Sequence, residues 1–144
     1  KTVVENNTFH VPGAAILFEG DASFWFEESG VNGVVIRNNT FDNCNYGVWG
    51  NACIQVGSGI AKDVRPRRRY HKNIIIDQNT FKIFDPRIIN AYCVDGLIFK
   101  NNKIEKSDEY QSGFLNAKAF VIEDCSNVAI DEFDNSSTVK HDKK

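Results

Sequence analysis

The residues best suited to chemistry lie in one short stretch, Asp21-Ala22-Ser23-Phe24-Trp25-Phe26-Glu27-Glu28-Ser29-Gly30, which interleaves three carboxylates with three aromatic rings. A pair of carboxyl groups can act as acid and base, or as acid and nucleophile, at a glycosidic bond. Sugars present apolar C–H faces as well as hydroxyls, so an aromatic ring beside carboxylates suits a carbohydrate. Asp21 follows Gly20 at the end of an apolar run, a rigid place to hold a reacting group. Asp21, Glu27 and Glu28 are the candidate catalytic carboxylates, and Trp25 is the candidate stacking platform. The plainer alternative, in which the aromatics pin a loop and the acids are solvated, stays open at this point.

A second stretch, Lys62-Asp63-Val64-Arg65-Pro66-Arg67-Arg68-Arg69-Tyr70-His71-Lys72, is strongly basic. Such a run is ordinarily a solvated face. Beside carboxylates it gains other uses: a nearby guanidinium keeps a carboxylate ionised, and guanidinium groups recognise anionic sugars well. Arg65, Arg67, Arg69 and Tyr70 are the candidate substrate-binding residues. His10, His71 and His141 are scattered, and the four cysteines have no metal-ligand spacing; neither a metal nor a cofactor is expected. Acids with an Arg base also leave a lyase or epimerase open.

The elements that must position these loops are read from a repeated phrase. A short β-branched strand, a pair of side-chain amides and an apolar plug recur as Val3-Val4-Glu5-Asn6-Asn7-Thr8-Phe9, Val34-Val35-Ile36-Arg37-Asn38-Asn39-Thr40-Phe41, Ile74-Ile75-Ile76-Asp77-Gln78-Asn79-Thr80-Phe81 and Leu97-Ile98-Phe99-Lys100-Asn101-Asn102-Lys103-Ile104. A degraded copy begins at Val128. Repeats of one strand-and-turn signature predict a solenoid, here all-β: a right-handed parallel β-helix of about five coils over residues 1–133, with a polar tail over 134–144. Asn tolerates left-handed backbone angles, and stacked Asn residues can form an amide ladder. A second strand follows each plug, near Ile16, Ile54, Ile89 and Phe120. Residues 21–32 and 58–72 are then long loops leaving one edge of the solenoid side by side. Cys53 and Cys93, each twelve residues after a Phe plug, are expected to stack in successive coils as free thiols.

Length bounds the chain to one domain. Its 144 residues carry a formal charge of −2, which argues against a nucleic-acid partner. No apolar run approaches the roughly 20 residues that cross a membrane, and no signal peptide is read in this chain. Strand residues begin at once after Lys1, without a cap, which predicts the C-terminal piece of a longer solenoid and self-association through bare ends.

From Ala15 to Val56 the chain resembles the bacterial α-1,3-galactosidase family, glycoside hydrolase family 110. The resemblance rests on Ile16-Leu17 leading to Gly20-Asp21-Ala22, on Trp25 ahead of Glu28-Ser29-Gly30, on Val35-Ile36-Arg37-Asn38 with Phe41, and on Asn43-Cys44-Asn45-Tyr46-Gly47 before Ala52-Cys53-Ile54-Gln55-Val56. It implies a parallel β-helix and an exo-acting, metal-independent hydrolase that inverts the anomeric centre, with Asp21 as a catalytic carboxylate and Glu28 at the sugar site. The expected substrate is an oligosaccharide or polysaccharide ending in α-1,3-linked galactose or a related sugar, and the expected location is secreted or periplasmic in a bacterium. A glycan-binding or purely structural β-helix domain is the alternative from another class.

Overall fold

The computed structural model describes residues 1–19, 30–47 and 49–131. Within them the chain is all-β apart from a short 3-10 turn at Arg65–Arg67. Strands β1 (Thr2–Glu5), β2 (Thr8–Phe9) and β3 (Ile16–Phe18) form a first repeat, and β4 (Asn32–Arg37), β5 (Thr40–Asp42) and β6 (Ile54–Val56) a second. Next come β7 (His71–Asp77), β8 (Thr80–Ile83) and β9 (Ile89–Tyr92), then β10 (Val94–Lys100), β11 (Lys103–Lys106) and β12 (Phe120–Glu123), and finally β13 (Ser126–Ile130). Each repeat gives one strand to each of three sheets: β1-β4-β7-β10-β13 in sheet A, β2-β5-β8-β11 in sheet B and β3-β6-β9-β12 in sheet C. Every pairing is parallel. The chain thus visits the sheets in rotation, as a solenoid does.

The turn from sheet A to sheet B explains the amide pairs. The first member of each pair takes the left-handed conformation, with φ of 61° at Asn6, 54° at Asn38, 58° at Gln78 and 54° at Asn101. The second member then turns its side chain onto its counterpart in the next repeat. Asn7 Nδ2 donates to Asn39 Oδ1 (3.1 Å), Asn39 Nδ2 to Asn79 Oδ1 (3.0 Å) and Asn79 Nδ2 to Asn102 Oδ1 (3.0 Å). Each accepting oxygen also receives the backbone N–H of the same donor residue, at 3.0, 2.9 and 2.8 Å. The amide of Asn79 reaches back to the carbonyl of Ile36 as well (3.0 Å). A buried polar group is costly unless it is bonded, and here the buried amides are bonded in a chain.

One step beyond the ladder the plugs stack in register, Phe9 on Phe41 on Phe81 and then Ile104. The Phe9–Phe41 and Phe41–Phe81 ring centroids lie 5.2 and 4.6 Å apart with nearly parallel planes. Phe99 of sheet A and Phe120 of sheet C complete the interior from the other two sides. Inward positions repeat down sheet A as Val34, Ile74 and Leu97, and as Ile36, Ile76 and Phe99. All six are buried.

The cysteines do not follow the expected pairing. Strand β6 begins thirteen residues after Phe41, whereas β9 begins eight after Phe81, so equal counts from the plug do not reach equal places. Cys53 lies at the start of sheet C, where its N–H donates to the carbonyl of Arg87, and Cys93 lies at the far end, where its N–H donates to Glu123. Cys53 instead neighbours Cys44, whose thiol donates to the carbonyl of Phe9 (3.4 Å). All four thiols are free.

Replacing Asn79 by Ala should cost on the order of 2–4 kcal/mol, because it strips the acceptor from Asn39 and the donors from Asn102 and Ile36. Asn102→Ala, at the last and more exposed rung, should cost less than half as much. Urea unfolding of the two variants compares them directly, and equal losses would mean that the ladder carries no cooperative stability.

Candidate functional site

The site is built at the corner where sheet C passes to sheet A. In sheet C, Phe18 pairs with Val56, Val56 with Ala91, and Tyr92 with Glu123. The chain therefore leaves four neighbouring strands along one line. Sequence analysis placed two long loops on this edge, and β3–β4 and β6–β7 are the long connections there, whereas Cys93 alone, at φ 62°, joins β9 to β10.

The two long connections meet at once. The Glu19 carboxylate accepts hydrogen bonds from the Ser58 hydroxyl (2.9 Å) and the Gly59 N–H (3.1 Å). Gly57 makes this turn possible: its φ is +75°, and a Cβ there would lie 2.5 Å from the carbonyl of Tyr92. The returning chain is equally confined, because a Cβ on Gly30 would fall 1.6 Å from the carbonyl of Tyr70. Residues 30–32 and 68–72 are thereby held against each other, with Lys72 N–H donating to the carbonyl of Val31 (2.8 Å).

Between them is an open depression of about 600 Å³ whose lining includes Asn32, Arg68, Arg69, Tyr70, Lys72 and Asp95. Its floor is a row across sheet A, in which Asn32 pairs with Lys72, Lys72 with Asp95 and Asp95 with Ser126. Asn127 Nδ2 donates to Asp95 Oδ1 (2.7 Å), and Arg69 Nε donates to the Ser126 hydroxyl (3.0 Å). Arg68 lies over the Tyr70 ring, 4.6 Å from its centroid. Three cations against one carboxylate give the described lining a positive balance, suited to keeping neighbouring carboxylates ionised.

The candidate residues divide accordingly. Arg69 and Tyr70 line the depression. Arg67 is exposed on the 3-10 turn. Arg65 turns inward: it is buried, stacks on Tyr92 at 3.9 Å, donates from Nε to the carbonyl of Ile60 (2.7 Å) and approaches Glu123 to 3.8 Å. Its work in the described structure is to fasten the basic loop to sheet C. Asp21, Trp25, Glu27 and Glu28 lie outside the described residues. Among the described residues no cluster of three or more His, Cys, Asp or Glu side chains could hold a metal ion, and no helix is long and apolar enough to cross a membrane.

Sequence reasoning did not single out Glu19, Asp95 or His71. Glu19 was discoverable as the last residue before the loop, in line with Gly57. His71 is fully buried, and its Nδ1 accepts the N–H of Val31 (3.3 Å). The ring is therefore neutral with its proton on Nε2, an atom without a hydrogen-bond partner among the described residues. Burial pulls His71 below the ordinary imidazole range, with Glu19 pulling weakly the other way.

No family model matches the chain. Individual proteins do. It is 40% identical over 140 residues to an α-1,3-galactosidase B of Phocaeicola vulgatus, covering 92% of this chain and 24% of that protein. It is 37% identical over 133 residues to an α-1,3-galactosidase A of Bacteroides fragilis (91% and 22%), and 38% identical over 133 residues to an α-1,3-galactosidase B of Bacteroides thetaiotaomicron (90% and 22%). The resemblance read between Ala15 and Val56 thus extends over nine tenths of the chain, and the proteins it is similar to are α-1,3-galactosidases. The chain spans under a quarter of the length of these relatives.

The His71 environment predicts a pH dependence. The unfolded chain takes up a proton near pH 6.5, while the folded chain resists protonation until lower pH, so stability rises with pH through that window. The contribution is whole above the unfolded value and is lost as pH falls through the lower folded one. Urea unfolding at pH 5 and pH 7.5 should show a smaller difference in His71→Gln than in the unmodified chain; an unchanged difference would assign the slope to other groups.

Proposed function

We propose that this chain is part of a carbohydrate-active enzyme that hydrolyses terminal α-1,3-linked galactose, or a closely related sugar, with inversion at the anomeric carbon. The observation that carries the reading is 37–40% identity, over nine tenths of the chain, to proteins named α-1,3-galactosidases. The paired long connections at the sheet C to sheet A corner support it, since they join through Glu19, Ser58 and Gly59 and set Arg68, Arg69, Tyr70 and Lys72 around one depression. The three parallel sheets support the finer architecture of a right-handed, closed β-helix of about five coils. A secreted or periplasmic bacterial location, and association through the outermost strands, belong to the same proposal.

In this mechanism one carboxyl group protonates the departing glycosidic oxygen while another draws a proton from water on the opposite face of the ring, the two standing roughly 6.5–9.5 Å apart. Asp21 is one of the pair, and Glu27 or Glu28 is the partner available in this chain. Trp25 stacks on the sugar. The cations at Arg68, Arg69 and Lys72 favour the ionised form of the carboxylate that must act as base. Arg69 and Tyr70 border the bound glycan, with Arg67 at its outer margin and Arg65 supporting the loop from beneath.

Asp21→Asn should abolish turnover, a loss of at least a thousandfold, without changing the fold. Proton NMR of the reaction with an α-1,3-galactosyl oligosaccharide checks both claims: galactose should appear first as the β-anomer, and only with the unmodified protein. Turnover that survives in Asp21→Asn removes Asp21 from the mechanism, and initial release of the α-anomer removes inversion. A well-folded chain that binds the sugar without cleaving it, indifferently to Asp21, would instead be a glycan-binding module. An unsaturated, ultraviolet-absorbing product would identify a lyase.

A further inference from the structure

A second organised surface occupies a different corner, where sheet B passes to sheet C. Between β11 and β12 the chain runs through residues 107–119 and folds back along this corner over the earlier repeats. Tyr110 stacks on Tyr46 of the second repeat (5.4 Å, 13° between planes) and meets Phe84 of the third at 5.2 Å. Its hydroxyl lies 3.5 Å from Nε2 of His10 in the first repeat. His10 stacks in turn on Tyr46 at 4.9 Å, and its Nδ1 is 2.7 Å from the carbonyl oxygen of Asp42. The strap is braced locally: the Glu109 N–H donates to the Ser107 hydroxyl (3.2 Å), the Phe114 N–H donates to the Ser112 hydroxyl (3.0 Å), and Arg87, paired with Asp85, lies 3.8 Å from the centroid of the Phe114 ring.

This bracing leaves much apolar surface in water. Of the six large apolar side chains that stand out as exposed among the described residues, four lie on this corner: Tyr46 (42%), Trp49 (76%), Phe114 (53%) and Leu115 (74%). Beside them is an open depression of about 750 Å³, whose lining includes Phe84, Asp108, Glu109, Tyr110, Gln111 and Leu115. That size is within the range of small-ligand sites, which combine aromatic walls with a few polar groups.

We propose that this depression is a second sugar-binding site, one that holds a neutral pyranoside without cleaving it. Tyr110, braced from behind by Tyr46 and His10, and Phe84, tilted 56° to it, offer apolar ring surface to the C–H face of a pyranose. The carboxylates of Asp108 and Glu109 accept from hydroxyls, and the Gln111 amide both donates and accepts. The lining sets Asp108 and Glu109 against Lys106, and Asp42 adds its charge near Tyr110, so the balance is negative and disfavours sulfated or uronic sugars relative to a neutral ligand. The site is separate from the sheet C to sheet A corner, with the strands of sheet C between them, so it needs no part of the hydrolytic machinery. Its use is to hold a second stretch of a glycan, or a neighbouring chain end, near the reacting corner.

The test is titration of the chain with neutral α-1,3-galactobiose, followed by NMR of the tyrosine ring protons, in parallel with a sulfated counterpart. The Tyr46 and Tyr110 resonances should shift on adding the neutral sugar, Tyr110→Ala should weaken that binding at least tenfold, and Asp21→Asn should leave it unchanged. Gln111→Ala, an exposed change that spares the ring stack, should weaken it severalfold with the circular dichroism spectrum intact. Ring signals that ignore the sugar, undiminished binding in both Tyr110→Ala and Gln111→Ala, or tighter binding of the sulfated sugar would each overturn the proposal. Because hydrolysis is read in a separate assay on Asp21→Asn, failure at one corner is distinguishable from failure at the other.

Discussion

The structure depends on the amide ladder that joins Asn7, Asn39, Asn79 and Asn102. A parallel sheet alone fixes the spacing between repeats, roughly 4.8 Å, but a strand of β-branched residues can slip along its neighbour. The ladder removes that freedom, because each side-chain oxygen takes two donors from one particular residue of the preceding repeat. Its geometry in turn requires a left-handed residue just before it, and Asn6, Asn38, Gln78 and Asn101 meet the requirement. Plug then falls on plug, and each strand end falls beside its counterpart.

That registration makes a site out of loops of unequal length. If the sheet C strands ended at staggered heights, Glu19 and Ser58 would not meet. Since Phe18 and Val56 are partners in the sheet, the residues that follow emerge within hydrogen-bonding reach. The same logic operates at the sheet B to sheet C corner, where the strap of residues 107–119 crosses back over three earlier repeats whose rings His10, Tyr46 and Phe84 already stand in line. Strands that repeat through three parallel sheets thus let each connection carry its own loop while the core between the sheets keeps its pattern.

What was legible in the sequence was whatever repeats. The strands, the Phe column and the Asn ladder have a period, and the two long connections stand out as interruptions of it, so both survive without coordinates. Positions that must be counted across a corner of varying length did not. Cys53 and Cys93 sit at equal counts from their plugs yet at opposite ends of sheet C, because the third repeat turns its corner in fewer residues. The strap was missed for the opposite reason: a plug-to-plug interval of 23 residues reads as a plain coil, and the insertion comes only after the last plug, Ile104. The inward turn of Arg65 had no signal in the sequence, since one arginine within a run of four looks as solvated as the rest.

Arg65 also shows how such a basic loop is made usable. Four arginines moving freely in water would lose most of their directional effect through screening and side-chain entropy. Burying one of them changes that. The Arg65 guanidinium is held by Tyr92, the Ile60 carbonyl and Glu123, while its own carbonyl accepts the Cys93 thiol (3.3 Å). The 3-10 turn that follows is then anchored at its first residue, with Pro66 restricting the second. Gly30, packed against the carbonyl of Tyr70, closes the loop at its other end. Between these anchors Arg68 and Arg69 have little choice of direction, one resting on Tyr70 and the other on Ser126. The positive field at the depression therefore comes from oriented groups rather than from net charge, which is negative for the whole chain.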